Sequence, residues 1–124
     1  MTKLFIRKNE NGIFYYKDPE MTIYHREDGP AVERYDGAKF WYQNNKLHRL
    51  DGPAAEYTNG IKAWHQNGLY HRLDGPAVEH VNGAKEYWIE GEKLTEQEFL
   101  ARTQAPTCDK IVTIDGVDYK LTKI

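Results

Sequence analysis

The residues with the most chemistry in this chain come in three near-identical sets. His-Arg-x-Asp-Gly-Pro-Ala starts at His25, His48 and His71, each 23 residues after the last. Histidine can ligate a metal or move a proton near neutral pH. Arginine presents a planar fork that fits phosphate or carboxylate bidentately. The sets therefore admit three uses. The histidines could hold a metal; the His-Arg heads could grip an anionic partner; or Arg26, Arg49 and Arg72 could pair with Asp28, Asp51 and Asp74 to hold a bend and its unpaired carbonyls. Spacing opposes the metal. If each set adds two strands to a sheet, equivalent histidines lie roughly 10 Å apart, whereas zinc ligands converge within about 2.1 Å of one ion. No metal or other cofactor is expected. The neighbouring aspartates favour internal pairing over anion binding, because a paired arginine has less to offer a ligand.

Other catalytic apparatus is scarce. The chain has no serine, so a Ser-His-Asp site is impossible, and its one cysteine, Cys108, reads as a thiol on a linker rather than a nucleophile. There is no Gly-rich phosphate loop, no Cys-x-x-Cys and no His-Glu-x-x-His. An enzyme is not expected. Trp41, Trp64 and Trp88, with Tyr42, Tyr57 and Tyr87, could stack bases or anchor a protein partner. They would equally serve as the core of a thin sheet. The candidate partner-binding or anion-binding residues are thus His25, Arg26, His48, Arg49, His71, Arg72, Trp41, Trp64 and Trp88.

The elements that must position them follow from the repeat. Three units, 25–47, 48–70 and 71–93, share eight identical columns: the heptad's His, Arg, Asp, Gly, Pro and Ala, then Glu33/Glu56/Glu79 and Gly37/Gly60/Gly83. Lys39/Lys62/Lys85 makes a ninth. A worn half-unit over 4–24 precedes them. A period in this range means one supersecondary unit copied and stacked, since one copy cannot bury its own apolar face. Asp36-Gly37, Asn59-Gly60 and Asn82-Gly83 suit two-residue hairpin turns. A second turn sits at Asn44-Asn45, Asn67-Gly68 and Glu90-Gly91. Each unit reads as two antiparallel strands, the longer bent at Asp-Gly-Pro, where proline cannot donate to a ladder. A two-residue turn at Asp36-Gly37 sets Val32 opposite Trp41 and Arg34 opposite Lys39, and turns Glu33 and Phe40 to the other face. Stacked copies align Trp41, Trp64 and Tyr87 in one row and Tyr42, His65 and Trp88 in another. The mean hydropathy of −0.82 fits apolar groups confined to such rings. The expected fold is mainly β: a repeat-built antiparallel meander of hairpins, one elongated, twisted sheet over residues 1–94.

On the 23-residue period, the turn glycines Gly37, Gly60 and Gly83, and the pairs Trp41-Tyr42, Trp64-His65 and Tyr87-Trp88, the array resembles the MORN-type repeat. The likeness is to the variant form common in bacterial and bacteriophage proteins, and it covers roughly three quarters of the chain. It implies a sheet of hairpins that binds partners or oligomerises, without catalytic residues. The His-Arg-x-Asp-Gly-Pro-Ala bend departs from the simpler glycine-centred turn of the common repeat, so the lipid binding linked to eukaryotic members is not carried over.

Residues 95–124 break the pattern. Thr95 with Glu98 forms a capping box ahead of Phe99, Leu100 and Ala101, which predicts a short helix near 95–103. Lys110–Ile124 predicts a hairpin around Asp115-Gly116 with Val112, Ile114, Val117, Tyr119 and Leu121 on one face. Helix and hairpin would close the array or join two chains, since an open sheet edge invites pairing. A homodimer through that hairpin or a sheet edge is expected. Seventeen basic residues against nineteen acidic ones give a net charge of −2, scattered rather than striped, which argues against nucleic acid. No signal peptide or membrane span is apparent. The expectation is therefore a cytoplasmic protein-binding module. The resemblance suggests a bacteriophage-type inhibitor or adaptor, such as a host-defence inhibitor, acting in a bacterial host cell. A binder that sequesters a nucleotide-like anionic small molecule through repeat arginines and aromatics is the alternative.

Overall fold

A computed structural model describes residues 3–103 fully and residues 111–114 and 117–120 by their backbone. The chain divides into two compact units, Met1–Leu94 and Thr95–Ile124.

The first unit is an antiparallel meander. β1 (Phe5–Asn9) and β2 (Gly12–Tyr16) form the opening hairpin, followed by β3 (Val32–Arg34) and β4 (Lys39–Phe40). Two short side strands, β5 (Tyr42–Gln43) and β6 (Lys46–Leu47), lead to β7 (Ala55–Glu56) and β8 (Lys62–Ala63). A second side pair, β9 (His65–Gln66) and β10 (Leu69–Tyr70), leads to β11 (Val78–Glu79), β12 (Lys85–Ile89) and β13 (Glu92–Leu94). Nine strands make one sheet in the order β1-β2-β3-β4-β7-β8-β11-β12-β13, and β5-β6 and β9-β10 stand as separate hairpins. Among the described residues no helix falls inside the three units.

Each unit thus holds two hairpins rather than two strands. The second kind has the two-residue turn expected. Asn44 and Asn45, Asn67 and Gly68, and Glu90 and Gly91 all have positive φ, between 48° and 85°. That is the left-handed pair a type I′ turn requires. The first kind differs from the two-residue reading. Gly37 N–H donates to Arg34 O at 3.0 Å, Arg34 N–H donates to Ala38 O at 2.9 Å, and the loop is Tyr35-Asp36-Gly37. Asp-Gly serves a two-residue loop and the last two places of a three-residue loop equally well, and here the second wins. Asp36, Asn59 and Asn82 earn their place by accepting the N–H of Ala38, Ile61 and Ala84 through Oδ1 at 2.9–3.1 Å.

This one-residue difference corrects the predicted faces, because a slip of one inverts every side chain of one strand. Val32 lies opposite Phe40, not Trp41, and Glu33 lies opposite Lys39. The register then sets Lys39 opposite Glu56, Glu56 opposite Lys62, Lys62 opposite Glu79 and Glu79 opposite Lys85. Alternating charge across neighbouring strands is favourable. It accounts for the invariant glutamate and lysine columns together.

The strand leaving the first turn breaks at Trp41. Its N–H donates to Ala54 O in the main sheet at 2.8 Å, while its carbonyl accepts from His48 N in the side ladder at 2.9 Å. Trp64 bonds Ala77 and His71 in the same way, and Tyr15 bonds Ala31 and His25. One residue therefore serves both ladders. β2 and β12 run unbroken through Tyr15 and Tyr87: β2 is paired along its whole length with β1, and no fourth heptad follows β12. The breaks at Trp41 and Trp64 are made by the loop of the following unit. Proline and its neighbours form that loop, so the expected bent strand is instead an irregular segment between the side hairpin and the next main strand.

The core is thin and built from small residues. Ala31, Ala54 and Ala77 are wholly buried, and Ala55, Ala63 and Val78 form a cluster covered by Phe40, Ile61, Tyr70 and Trp88. Rings extend it: Tyr16 stacks on Tyr24 and Tyr42 lies tilted against Tyr24, both with centroids 5.0 Å apart, and His65, Tyr70 and Trp88 follow one another tilted at 4.5 and 4.9 Å. The expected row of Tyr42, His65 and Trp88 is therefore interleaved with a second column, Tyr24, Leu47 and Tyr70. Gly12 is fixed by crowding, since a Cβ there would lie 2.2 Å from Glu33 O.

In the second unit α1 (Glu96–Thr103) opens with the capping box: Glu98 N–H donates to Thr95 Oγ1 at 3.1 Å and Thr95 N–H to Glu98 Oε1 at 2.9 Å. β14 (Ile111–Ile114) pairs with β15 (Val117–Lys120), setting Val112 opposite Tyr119 and Ile114 opposite Val117. Cys108, the turn at Asp115-Gly116 and Leu121 lie outside the described residues.

Candidate functional site: twin clefts between the heptad loops

The three arginines act as clamps. Arg49 Nε donates to Asp51 Oδ1 at 3.0 Å, and its Nη1 donates to Pro53 O at 3.1 Å and faces Glu56 Oε2 at 3.5 Å. Arg26 repeats this with Asp28, Pro30 and Glu33, and Arg72 with Asp74, Pro76 and Glu79, all at 2.8–3.2 Å. Each guanidinium also lies over the aromatic ring of the preceding unit: Arg26 over Tyr15 at 4.1 Å, Arg49 over Trp41 and Arg72 over Trp64 at 3.9 Å. Its other face meets the heptad glycine. A Cβ on Gly29, Gly52 or Gly75 would come within 2.8–2.9 Å of the guanidinium carbon. The heptad is thus a socket: Asp, the proline carbonyl and Glu take the donors, the ring takes one face, and Gly leaves room for the other.

The pairing shows in the electrostatics. Burial opposes the charge of Arg26, but hydrogen bonds with Asp28 and Glu33 and the adjacent charges outweigh it and raise its pKa. The hydrogen bond from Arg72 holds the Asp74 carboxyl below its usual range, against a smaller desolvation effect.

The histidines brace the side hairpins. The backbone N–H of Asn44 donates to His25 Nδ1, that of Asn67 to His48 Nδ1 and that of Glu90 to His71 Nδ1, each at 3.0 Å. A nitrogen that accepts carries no proton, which assigns the hydrogen to Nε2 in each ring. The columns thus link each heptad to the turn that closes its own unit. Among the described residues no three His, Cys, Asp or Glu side chains converge as a metal site would require.

Successive loops enclose two clefts of about 630 and 610 Å³. Their linings are the same residues moved by one repeat: Arg26, Trp41 and His48 in the first are replaced by Arg49, Trp64 and His71 in the second. Of the candidate residues, the clefts gather the arginines, Trp41, Trp64, His48 and His71. They leave out His25, which is buried, and Trp88, which lies in the ring ladder and donates to Glu86 at 3.0 Å.

The exposed groups at the clefts are ones the sequence reading passed over. Leu50, at the variable heptad position, is 75% exposed and Leu73 is 57% exposed. The first loop has Glu27 at that place. The side chains of Asp28, Asp51 and Asp74 are 85–87% exposed, while those of the arginines are 20–23% exposed. Within the three loops Arg26, Arg49 and Arg72 stand against Glu27, Asp28, Asp51 and Asp74, so the ridge carries one acid more than it has bases and is not a row of cationic heads. The signal was available: an apolar residue between Arg and Asp in a loop has no structural reason to be there.

Comparison with protein-family models, curated proteins and solved structures found no match to this chain.

Proposed function

We propose that the chain is a non-enzymatic protein-binding module that docks its partner on the ridge of heptad loops. The observation that carries this reading is the exposure of Leu50 and Leu73 at the mouths of two equivalent clefts; Ile6, Tyr35, Leu69 and Val81 are exposed as well, but none of them lines either cleft. Large apolar groups at a concave, polar-rimmed surface are typical of interaction sites. A repeat of hairpins with an aromatic after each turn supports assigning the array to the MORN type in its variant form. In that setting the module acts in the cytoplasm of a bacterial cell as a bacteriophage-type inhibitor or adaptor of a host protein. The alternative, sequestration of a nucleotide-like anion, has less support: each arginine already has its Nε and Nη1 donors engaged and one face covered, and the surrounding carboxylates repel an anion. The same net acidity disfavours nucleic acid.

A pull-down from bacterial lysate tests the reading. The wild-type chain should retain a protein that a Leu50→Asp/Leu73→Asp variant of unchanged melting temperature does not. Equal retention by both would overturn it. A homodimer through the C-terminal hairpin or a sheet edge is proposed with it. Sedimentation should give a dimer for the full chain and a monomer for a truncation ending at Gln104, and a monomeric full chain at micromolar concentration would refute the dimer.

A further inference from the structure

The two clefts have the same frame but not the same walls. At the variable heptad position the first cleft has Glu27 on one side and Leu50 on the other, whereas the second has Leu50 and Leu73. Among the acids that line them, the first holds Glu27, Asp28 and Asp51, and the second Asp51 and Asp74. The first cleft is therefore the more acidic and the second the more apolar. Each arginine in the walls is offset by its own aspartate and glutamate, so it does not cancel this difference.

The step between the clefts is set by the sheet. One unit contributes two strands to the main ladder, so equivalent points are about 10 Å apart. Seven residues of α-helix rise about 10.5 Å and return almost to the same side of the helix. An extended strand has no pair of residues on one face at that distance, since its same-face positions fall at about 7 and 13 Å.

Resting on the protein-binding reading, we propose that the ridge recognises one face of an amphipathic helix of a partner protein. That helix places a lysine or arginine in the cleft between Glu27 and Leu50 and a large apolar side chain, seven residues away, in the cleft between Leu50 and Leu73. The cation meets the Glu27 carboxylate, which faces His25 Nε2 at 3.3 Å on one side and is 62% exposed on the other, and its aliphatic stem lies along Leu50. The apolar residue is covered by both leucines. Leu50 belongs to both clefts and is the centre of the surface.

The test uses the full chain and a display library of alanine-rich helices randomised at two positions seven residues apart. Selection on the wild type should enrich Lys or Arg at one position and Leu, Ile, Met or Phe at the other. Selection on Glu27→Lys should replace the cation by Asp or Glu and keep the apolar preference, an exchange that misfolding does not produce. A selected helix should bind Glu27→Lys at least about tenfold more weakly than wild type, a difference of about 1.4 kcal/mol. No enrichment, enrichment of acidic residues on the wild type, or a preference unchanged by Glu27→Lys would each overturn the proposal. If the library fails while the pull-down still retains a partner dependent on Leu50 and Leu73, the binding module stands and the helical, cationic partner falls. If both fail, the ridge is not a docking surface.

Discussion

The two ends of each hairpin are ordered by different means. At the heptad end the backbone is irregular and is held by a side chain: one arginine reaches an aspartate, a carbonyl, a glutamate, a ring and a glycine. At the opposite end the three-residue loops 35–37, 58–60 and 81–83 are held from within, by their backbone hydrogen bonds and by Asp36, Asn59 and Asn82, which accept the N–H two residues on. Gly37 and Gly83 have φ of 101° and 92°, and a Cβ on either would meet nothing within 4 Å. Glycine is invariant in both places, in one because a neighbour needs the room and in the other because the backbone needs the angle. A repeated residue therefore does not reveal its reason by being repeated.

Substitutions can break this contrast, beginning with the clamp itself. Arg49→Ala should cost about 3 kcal/mol in thermal or denaturant unfolding, because it strips partners from Asp51, Glu56 and the Pro53 carbonyl and uncovers Trp41. A cost as small as that of an ordinary surface change would mean the loop is held by its backbone after all. Next are the glycines. Gly52→Ala should cost about 2 kcal/mol, since the new methyl group would lie 2.8 Å from the Arg49 guanidinium carbon. Gly37→Ala meets only the penalty of positive φ, about 1 kcal/mol. On an Arg49→Ala background the Gly52→Ala cost should largely vanish while the Gly37→Ala cost persists, and equal persistence of both would erase the distinction. Asp51→Ala should cost about 1 to 2 kcal/mol, and Asp28→Ala and Asp74→Ala should follow it, as each frees an arginine donor. Three melts identical to wild type would show that the arginines do not depend on these carboxylates.

A smaller effect concerns His65, which stands where its neighbours have Tyr42 and Trp88. It is buried, its Nδ1 has no hydrogen-bond partner, and burial pushes its pKa below the usual histidine range, against a smaller opposing effect of the Ala63 backbone. A folded pKa below the unfolded value near 6.5 means the unfolded chain takes up the proton first. Stability from this group is present above that pH and is lost as pH falls through it toward the folded value. His65→Tyr should therefore flatten the decline in melting temperature just below pH 6.5, and an unchanged slope would exclude His65 as its source. Smallest of all, Leu50→Ala should change stability by no more than about 0.5 kcal/mol. That is the mark of a side chain kept for something other than folding.

The sequence made much of the fold legible. A 23-residue period, paired turn signals and a capping box locate every unit, both kinds of turn and the helix, because each depends on residues close in the chain. What it hid depends on contacts between units. The one-residue shift at Tyr35–Gly37 could not be read from Asp-Gly alone, although the alternation of Glu33, Lys39, Glu56 and Lys62 contained it. The break at Trp41 was hidden because its cause is Ala54 and His48, in the following unit. For the site, Arg-Asp pairing was readable from spacing, whereas the stacking of Arg49 on Trp41 was not, since ring and cation belong to different copies. Leu50 and Leu73 were visible as letters but were treated as the variable slot of a motif. Their difference from Glu27 carries more information than the columns that never vary.

Because each guanidinium rests on a ring one unit upstream, the clamp doubles as a splice. A further copy of 23 residues brings its own arginine, finds a ring already waiting, and presents a new ring in turn. Three loops enclose two clefts, and a fourth would enclose a third at the same pitch without any other change. On the proposed docking reading the chain is a ruler: its length in repeats sets how many footholds it offers, and the one letter at the variable heptad position sets what each foothold accepts.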